Sequence, residues 1–323
     1  MKKFKLFIGL SPYWKRAKVS SELTEKYYGK CIELCKRVLF TYYNLKDFLD
    51  YLDFVSEYPY MKKVDVMLDS GAFSIWREGT EDVNLDEYIE FALMIQEEDL
   101  FKSLVFVSLD KIPGTVKRTA NATELKEAAN ISLNNYNQMK ERGVENVLYV
   151  YHLGEPIEWL GKVLDDGAEY VGLGGLSRGA GSGARRRWLD SVFSYLQKYP
   201  EVGTHGFGVT ASNLVLRYPW RSVDSVTPFL EPGYGSVSVF DETEKKMARK
   251  YVSGVSKKMK THLTDRRFLE KRFGVTFEQL IESLWCRRYF SMVEWMKFEK
   301  FVQERQQSGE RGEFQQSILG GKK

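Results

Sequence analysis

The 323 residues are 43% hydrophobic and 28% charged, enough apolar material for a full-sized core, which excludes a disordered or fibrous chain. Three scattered cysteines, no apolar leader and no run of eighteen apolar residues read as a soluble protein of a reducing compartment, expected in the cytoplasm, with no membrane partner. The net charge of +4 is unevenly spread: residues 1–241 carry 29 basic and 33 acidic side chains, net −4, whereas residues 242–323 carry 19 and 11, net +8.

In chain order, apolar runs rich in β-branched and aromatic residues recur at about 5–10, 37–43, 64–69, 103–110, 146–152, 170–175, 204–209 and 222–227, and predict eight strands. Helical periodicity fills the gaps. It begins in "SSELTEKYYGKCIELCKR", where Cys31 and Cys35 share a face with Leu23 and Tyr27 and read as core. It continues over 45–58 before Pro59, 84–98, 123–142 before Gly143, 157–166 before Gly167 and 185–199 before Pro200. Near-continuous apolar strands alternating with helices predict a parallel sheet covered on both sides, and eight such units predict an α/β fold, a (β/α)8 TIM barrel, over residues 1–241. Beyond Asp241 the sequence predicts two helical stretches, 242–263 and 276–305, without a strand, as a basic helical extension over 242–305. The polar end "QQSGERGEFQQSILGGKK", 306–323, reads as a flexible tail.

Several strand tips end in chemistry. Asp69 closes the run in "VMLDSGAF", Asp110 in "VFVSLDKIP", His152 in "YVYHLGE" and Asp224 in "RSVDSVTP"; "YVGLGGLSRG" and "THGFGVT" end in glycines and Phe207. Side chains at the C-terminal tips of barrel strands meet at one mouth, where three carboxylates repel one another unless a substrate, a cation or protons separate them. Taken singly, each aspartate also fits a helix cap or turn, "GLGGLSRGAGSG" also fits a phosphate-binding loop, and Phe73, Phe207 and Trp220 also fit plain packing.

Together, "LDSGAF", "SLD", "GLGGLSRG", "HGFGVT" and "SVDSVTP" stand in the order and rough spacing of the guanine transglycosylases, which this chain resembles over about residues 5–240. The string "HGFGVTASNLVLRYPWRSVDSVTPFLEPGYGS" is most similar to the branch that inserts 7-deazaguanine bases into DNA. The resemblance implies Asp224 as nucleophile and Asp69 as the proton-handling aspartate. It implies a base site formed by Asp110, Phe73, Phe207, Gly208, Gly174, Gly175 and Leu176, with His152 where the tRNA enzymes have glutamine. The chemistry is consistent with these roles. Guanine offers two donors on its Watson–Crick edge, which suits an acceptor-only carboxylate such as Asp110. Base exchange with retention at C1′ needs a nucleophile such as Asp224 and a group such as Asp69 to give and take a proton.

The tRNA enzymes of that family carry a zinc subdomain of clustered cysteines and a histidine. After Asp224 this chain has only Cys286 and His262, too few for a closed site, so neither a metal nor another cofactor is expected. The expected partners are DNA, with tRNA as the alternative, and free guanine and 7-deazaguanine. The target guanosine must leave the duplex, with or without partner proteins that open it, and Tyr218 and Trp220 are close enough in sequence to assist. Phosphate contacts are expected from Arg178, Arg185, Arg186, Arg187 and Arg221, and from Lys257, Lys258, Arg266 and Arg267 of the extension. A barrel that only binds nucleic acid is the alternative of a different class.

Overall fold

The computed structural model describes residues 3–10, 21–56, 64–80, 82–176, 182–252, 255, 263–310 and 312–320. Eight parallel strands close into a barrel in chain order: β1 (Lys5–Gly9), β2 (Arg37–Thr41), β3 (Asp65–Asp69), β4 (Ser103–Val107), β5 (Val147–His152), β6 (Tyr170–Gly174), β7 (Gly203–Gly206) and β8 (Ser222–Ser225), which pairs back onto β1. Between them run α1 (Glu22–Leu34), α2 (Leu45–Ser56), α3 (Ala72–Glu78), α4 (Leu85–Glu97), α5 (Ala122–Glu141), α6 (Ile157–Asp165), α7 (Ser182–Tyr195) and α8 (Ser212–Arg217). The expected (β/α)8 architecture is the one the chain adopts.

Local chemistry starts the helices where orphan N–H groups need acceptors. Ser21 caps α1, Asn84 caps α4, and Asn121 with Glu124 forms a reciprocal capping box on α5. The barrel lumen is filled by Phe7, Met67, Val107, Leu148 and Val150, so it is a packed floor beneath the mouth and not a pore. On the outer side, the Tyr88 hydroxyl lies 3.1 Å from Leu68 O and 2.9 Å from Val107 O, tying α4 to the ends of β3 and β4 just where the strands release their polar residues.

After β8 the chain departs from expectation. A short α9 (Thr227–Leu230) leads to an antiparallel hairpin, β9 (Ser236–Asp241) and β10 (Lys246–Tyr251), where the sequence predicts helix from 242. The Asp241 carboxylate accepts from the N–H groups of Thr243 and Glu244, both at 3.0 Å, which turns the chain. Pairing with β9 then holds as a strand a segment, "KMARKY", that has little strand pattern of its own.

There follow α10 (Leu263–Phe273), α11 (Phe277–Glu282), α12 (Leu284–Gln307) and α13 (Glu313–Gly320). The predicted helix over 276–305 is broken at Ser283, whose hydroxyl caps α12. The flexible tail is also corrected: Phe314 on α13 is buried against Phe193 and Tyr218.

Helix α12 lies against α1 and β9 and closes the outer shell beside β1. Its buried acids serve backbone donors: Glu299 accepts from Leu6 N at 3.0 Å and Glu294 from Phe240 N at 2.8 Å, while Gln303 donates to Phe4 O. Among the described residues no helix is long and apolar enough to cross a membrane.

Candidate active site

Strand β3 ends at Asp69, and Ser70 and Gly71 then turn the chain into α3. Gly71 has φ +91°, and a Cβ there would stand 2.3 Å from Tyr43 Cβ and 2.6 Å from Thr41 Oγ1, so only glycine fits. Burial pushes the Asp69 carboxyl up to about 7; Asp110 and Asp224 push the same way, against the opposing hydrogen bonds from the backbone of Gly71 and Ser70. A carboxyl so placed can both hold and release a proton near neutrality.

Asp110 follows β4 and is buried. The Ser70 hydroxyl lies 3.4 Å from its Oδ1, and His152 Nε2 lies 2.8 Å from its Oδ2. His152 ends β5 with its other ring nitrogen 3.1 Å from Glu155 Oε1, while its backbone N–H donates to Glu155 Oε2 at 3.0 Å. Burial alone would push this imidazole down. Glu155 and Asp110 outweigh it, and the ring is pushed up to about 10, so it is an imidazolium gripped between two carboxylates. Gly174 at the tip of β6 makes room for it: a Cβ there would stand 2.8 Å from His152 Cδ2.

On β8, Ser222 and Asp224 share the inward face. Asp224 Oδ1 accepts from Gly208 N at 2.7 Å and lies 3.3 Å from His205 Nε2, and among the described residues no polar contact falls on Oδ2. Asp69, Asp110, His152 and Asp224 all line one cavity of about 520 Å³ at the C-terminal mouth, within the size range of small-molecule sites. Phe73, 40% exposed on α3, and Phe207, seated on the lumen core, line the same cavity, as do Gly174, Gly175 and Gly208. Phe207 owes its seat to Gly172, whose added Cβ would stand 2.4 Å from the ring.

No family model and no curated protein matches the chain. Among solved structures it is similar to the carboxyl transferase domain from Rhizobium etli pyruvate carboxylase, determined with oxalate. The identity is 9% and the TM-score 0.38, with 93% of this chain and 48% of that one covered. The chain thus spans about half the length of that relative, and likeness of this degree carries no argument about the site.

The structure separates the remaining candidates. Leu176 is buried and does not line the cavity; its carbonyl accepts from Arg185 at 2.6 Å, tying the first turn of α7 to the tip of β6. Arg186 and Arg187 are exposed on the next turn, Arg186 4.0 Å from Glu313. Arg178, Lys257 and Lys258 lie outside the described residues, as does His262.

Arg221 is a correction. It precedes β8, stacks on Tyr170 at the start of β6 at 4.3 Å and crowds Gly203 at the start of β7, so it sits at the end of the barrel opposite the cavity. Tyr218 and Trp220 are buried in packing with Phe193, which removes them from any part in opening a duplex.

The basic excess of the extension is partly internal. Arg272 pairs with Glu294, and Arg266 pairs with Glu270 and Glu278. Arg287 is buried, donating to the carbonyls of Pro232 and Leu280, and Arg288 stacks on Phe229. Arg267 is exposed. Cys31, Cys35 and Cys286 are buried free thiols, and no group of three or more potential metal ligands occurs among the described residues.

Sequence reasoning missed Glu155, His205 and Arg77. Arg77 lines the cavity rim beside Phe73 and pairs with Glu78. A signal for Glu155 was available: an acid three residues past a strand-tip histidine, within reach across a tight turn.

Proposed function

We propose that the chain is a guanine transglycosylase that exchanges guanine in DNA for a 7-deazaguanine base. The observation that carries this reading is the convergence of Asp69, Asp110 and Asp224 on one cavity with unlike surroundings: Asp69 pushed up to about 7, Asp110 gripped by an imidazolium, and Asp224 with one oxygen held and the other without a polar contact among the described residues. Three carboxylates with distinct tasks are what base exchange at a sugar carbon requires.

In the first displacement, Asp224 Oδ2 bonds to C1′ as the C1′–N9 bond breaks and its electron pair leaves with guanine. Protonated Asp69 gives the departing base its proton. Asp110 accepts from the N1–H and amino donors of the bound guanine, and Phe73 and Phe207 flank the ring. In the second displacement the incoming 7-deazaguanine gives its N9 proton to Asp69. Its N9 bonds to C1′ and the C1′–Oδ2 pair returns to Asp224, so two inversions leave the configuration retained.

DNA as the acceptor is supported by the resemblance around residues 205–236 and by Arg186 and Arg187 on the helix turn next to the one tied to the mouth. The test is incubation with isotopically labelled guanine or 7-cyano-7-deazaguanine and, separately, DNA and tRNA, followed by nucleoside mass analysis. Label in DNA that disappears with Asp224→Asn supports the reading. Label only in tRNA reassigns the substrate, and label in neither overturns the activity.

A further inference from the structure

His205 lies under the cavity on β7, wholly buried among the rings of Phe7, Tyr170 and Phe207. Its Nδ1 lies 2.6 Å from Ser222 Oγ, which is itself hydrogen-bonded to the Tyr170 hydroxyl. Its Nε2 lies 3.3 Å from Asp224 Oδ1 yet has no aligned hydrogen-bond partner among the described residues. A buried ring nitrogen left short of a hydrogen bond beside a carboxylate calls for an explanation, because such groups are otherwise satisfied.

The two ring protonation patterns are not equivalent here. With the proton on Nδ1, a bare Nε2 lone pair would face a carboxylate oxygen. With the proton on Nε2, a consistent chain results: Tyr170 O–H donates to Ser222 Oγ, Ser222 O–H donates to His205 Nδ1, and His205 Nε2–H faces Asp224 Oδ1. The carboxylate, which can only accept, selects this tautomer, and the hydroxyls of Ser222 and Tyr170, each able to donate and accept, accommodate it.

We propose that His205 is the positioning residue for Asp224, its Nε2–H form selected by the carboxylate itself and accommodated by Ser222 and Tyr170. Together with the Gly208 N–H, it engages Oδ1 so that Oδ2 alone is presented to carbon. This inference rests on the transglycosylase reading and deepens it. Both donors favour the charged carboxylate over the neutral glycosyl ester. They therefore help Asp224 leave in the second displacement, when charge returns to it, and do not help it attack in the first. The misaligned 3.3 Å contact has room to tighten as that charge develops.

The experiment resolves the two displacements in single turnover. In His205→Phe, which keeps a ring but no donor, breakdown of the glycosyl-enzyme should slow roughly ten- to hundredfold, as for a lost hydrogen bond to a charged group, while its formation changes less. The intermediate therefore accumulates. His205→Gln, whose amide reaches about as far as Nε2, should restore much of the breakdown rate. A residue that merely fills space would slow both steps alike and would not be rescued.

If His205→Phe does not fold, His205→Leu provides the same comparison, since it also lacks the donor. Ring-nitrogen NMR of the unsubstituted protein reads the proton directly, among only three histidines. A proton on Nε2 is expected; a bare Nε2, or equal slowing of both steps, overturns the inference. An adduct on Asp224 that breaks down at an unchanged rate in His205→Phe removes the inference alone. No adduct with any nucleic acid removes the transglycosylase reading and the inference with it.

Discussion

His152 Nε2 lies 2.8 Å from Asp110 Oδ2, so the acceptor proposed to read the guanine edge has one oxygen already engaged by a cation. The pair is buried, and Glu155 holds the far side of the ring at 3.1 Å. His152 should therefore stay charged through the neutral range and titrate near 10. Because the folded value lies above the 6.5 of a free imidazole, the stability contributed is complete below about 6.5 and is lost as pH rises through about 10. Glu155→Gln should bring the titration down, as followed by the ring-proton NMR signal; a wild-type titration between 6 and 7 would contradict the assignment.

Asp69→Asn should lower base exchange by roughly 10²–10⁴-fold, the usual contribution of a positioned proton donor and acceptor. It should also remove a limb of the pH–rate profile near 7. The stability effect runs in the same direction as that of His152, at lower pH. The carboxyl is raised in the fold, so the unfolded chain ionises first, and the fold loses stability as pH rises from about 4 to about 7. Asp69→Asn is free of that loss, and thermal unfolding at pH 5 and pH 8 should show the variant gaining on the parent at the higher pH.

Gly174→Ala places a methyl 2.8 Å from His152 Cδ2. The backbone around a strand tip has little room to yield, so the imidazole must shift away from Asp110. A stability cost of roughly 1–3 kcal/mol is expected by denaturant titration, with a larger loss in turnover than in folding.

Arg187→Ala should weaken binding to unrelated DNA sequences alike and reduce the log–log salt slope by roughly 0.9. Arg221→Ala should leave that slope unchanged, because Arg221 stacks on Tyr170 at the far end of the barrel. Binding titrations at several salt concentrations separate the two; equal slopes for Arg187→Ala and the parent would reduce the α7 cations to a solvated face.

The barrel was legible because each of its strands is a short apolar run and the helices between them carry caps and stops in the sequence. Strand β10 was not, since "KMARKY" becomes a strand only through six cross-strand partners on β9. The carboxylates were legible as strand tips, whereas His205 was hidden: it sits inside a strand, and its partners Ser222 and Tyr170 lie on other strands. Arg221 was misplaced for a reason the sequence did contain. A parallel barrel sends residues that precede a strand to one end and residues that follow it to the other, so Arg221, directly before β8, belongs opposite Asp224.

Peptide mapping of a trapped covalent adduct tests the account at its centre. The protein is incubated with guanine-containing DNA and a base that leaves slowly, quenched and digested, and the sugar-bearing peptide is sequenced by mass spectrometry. The adduct is expected on Asp224 and is expected to be absent in Asp224→Asn; an adduct on Asp69 or Asp110, or exchange with inversion at C1′, would contradict the assignment.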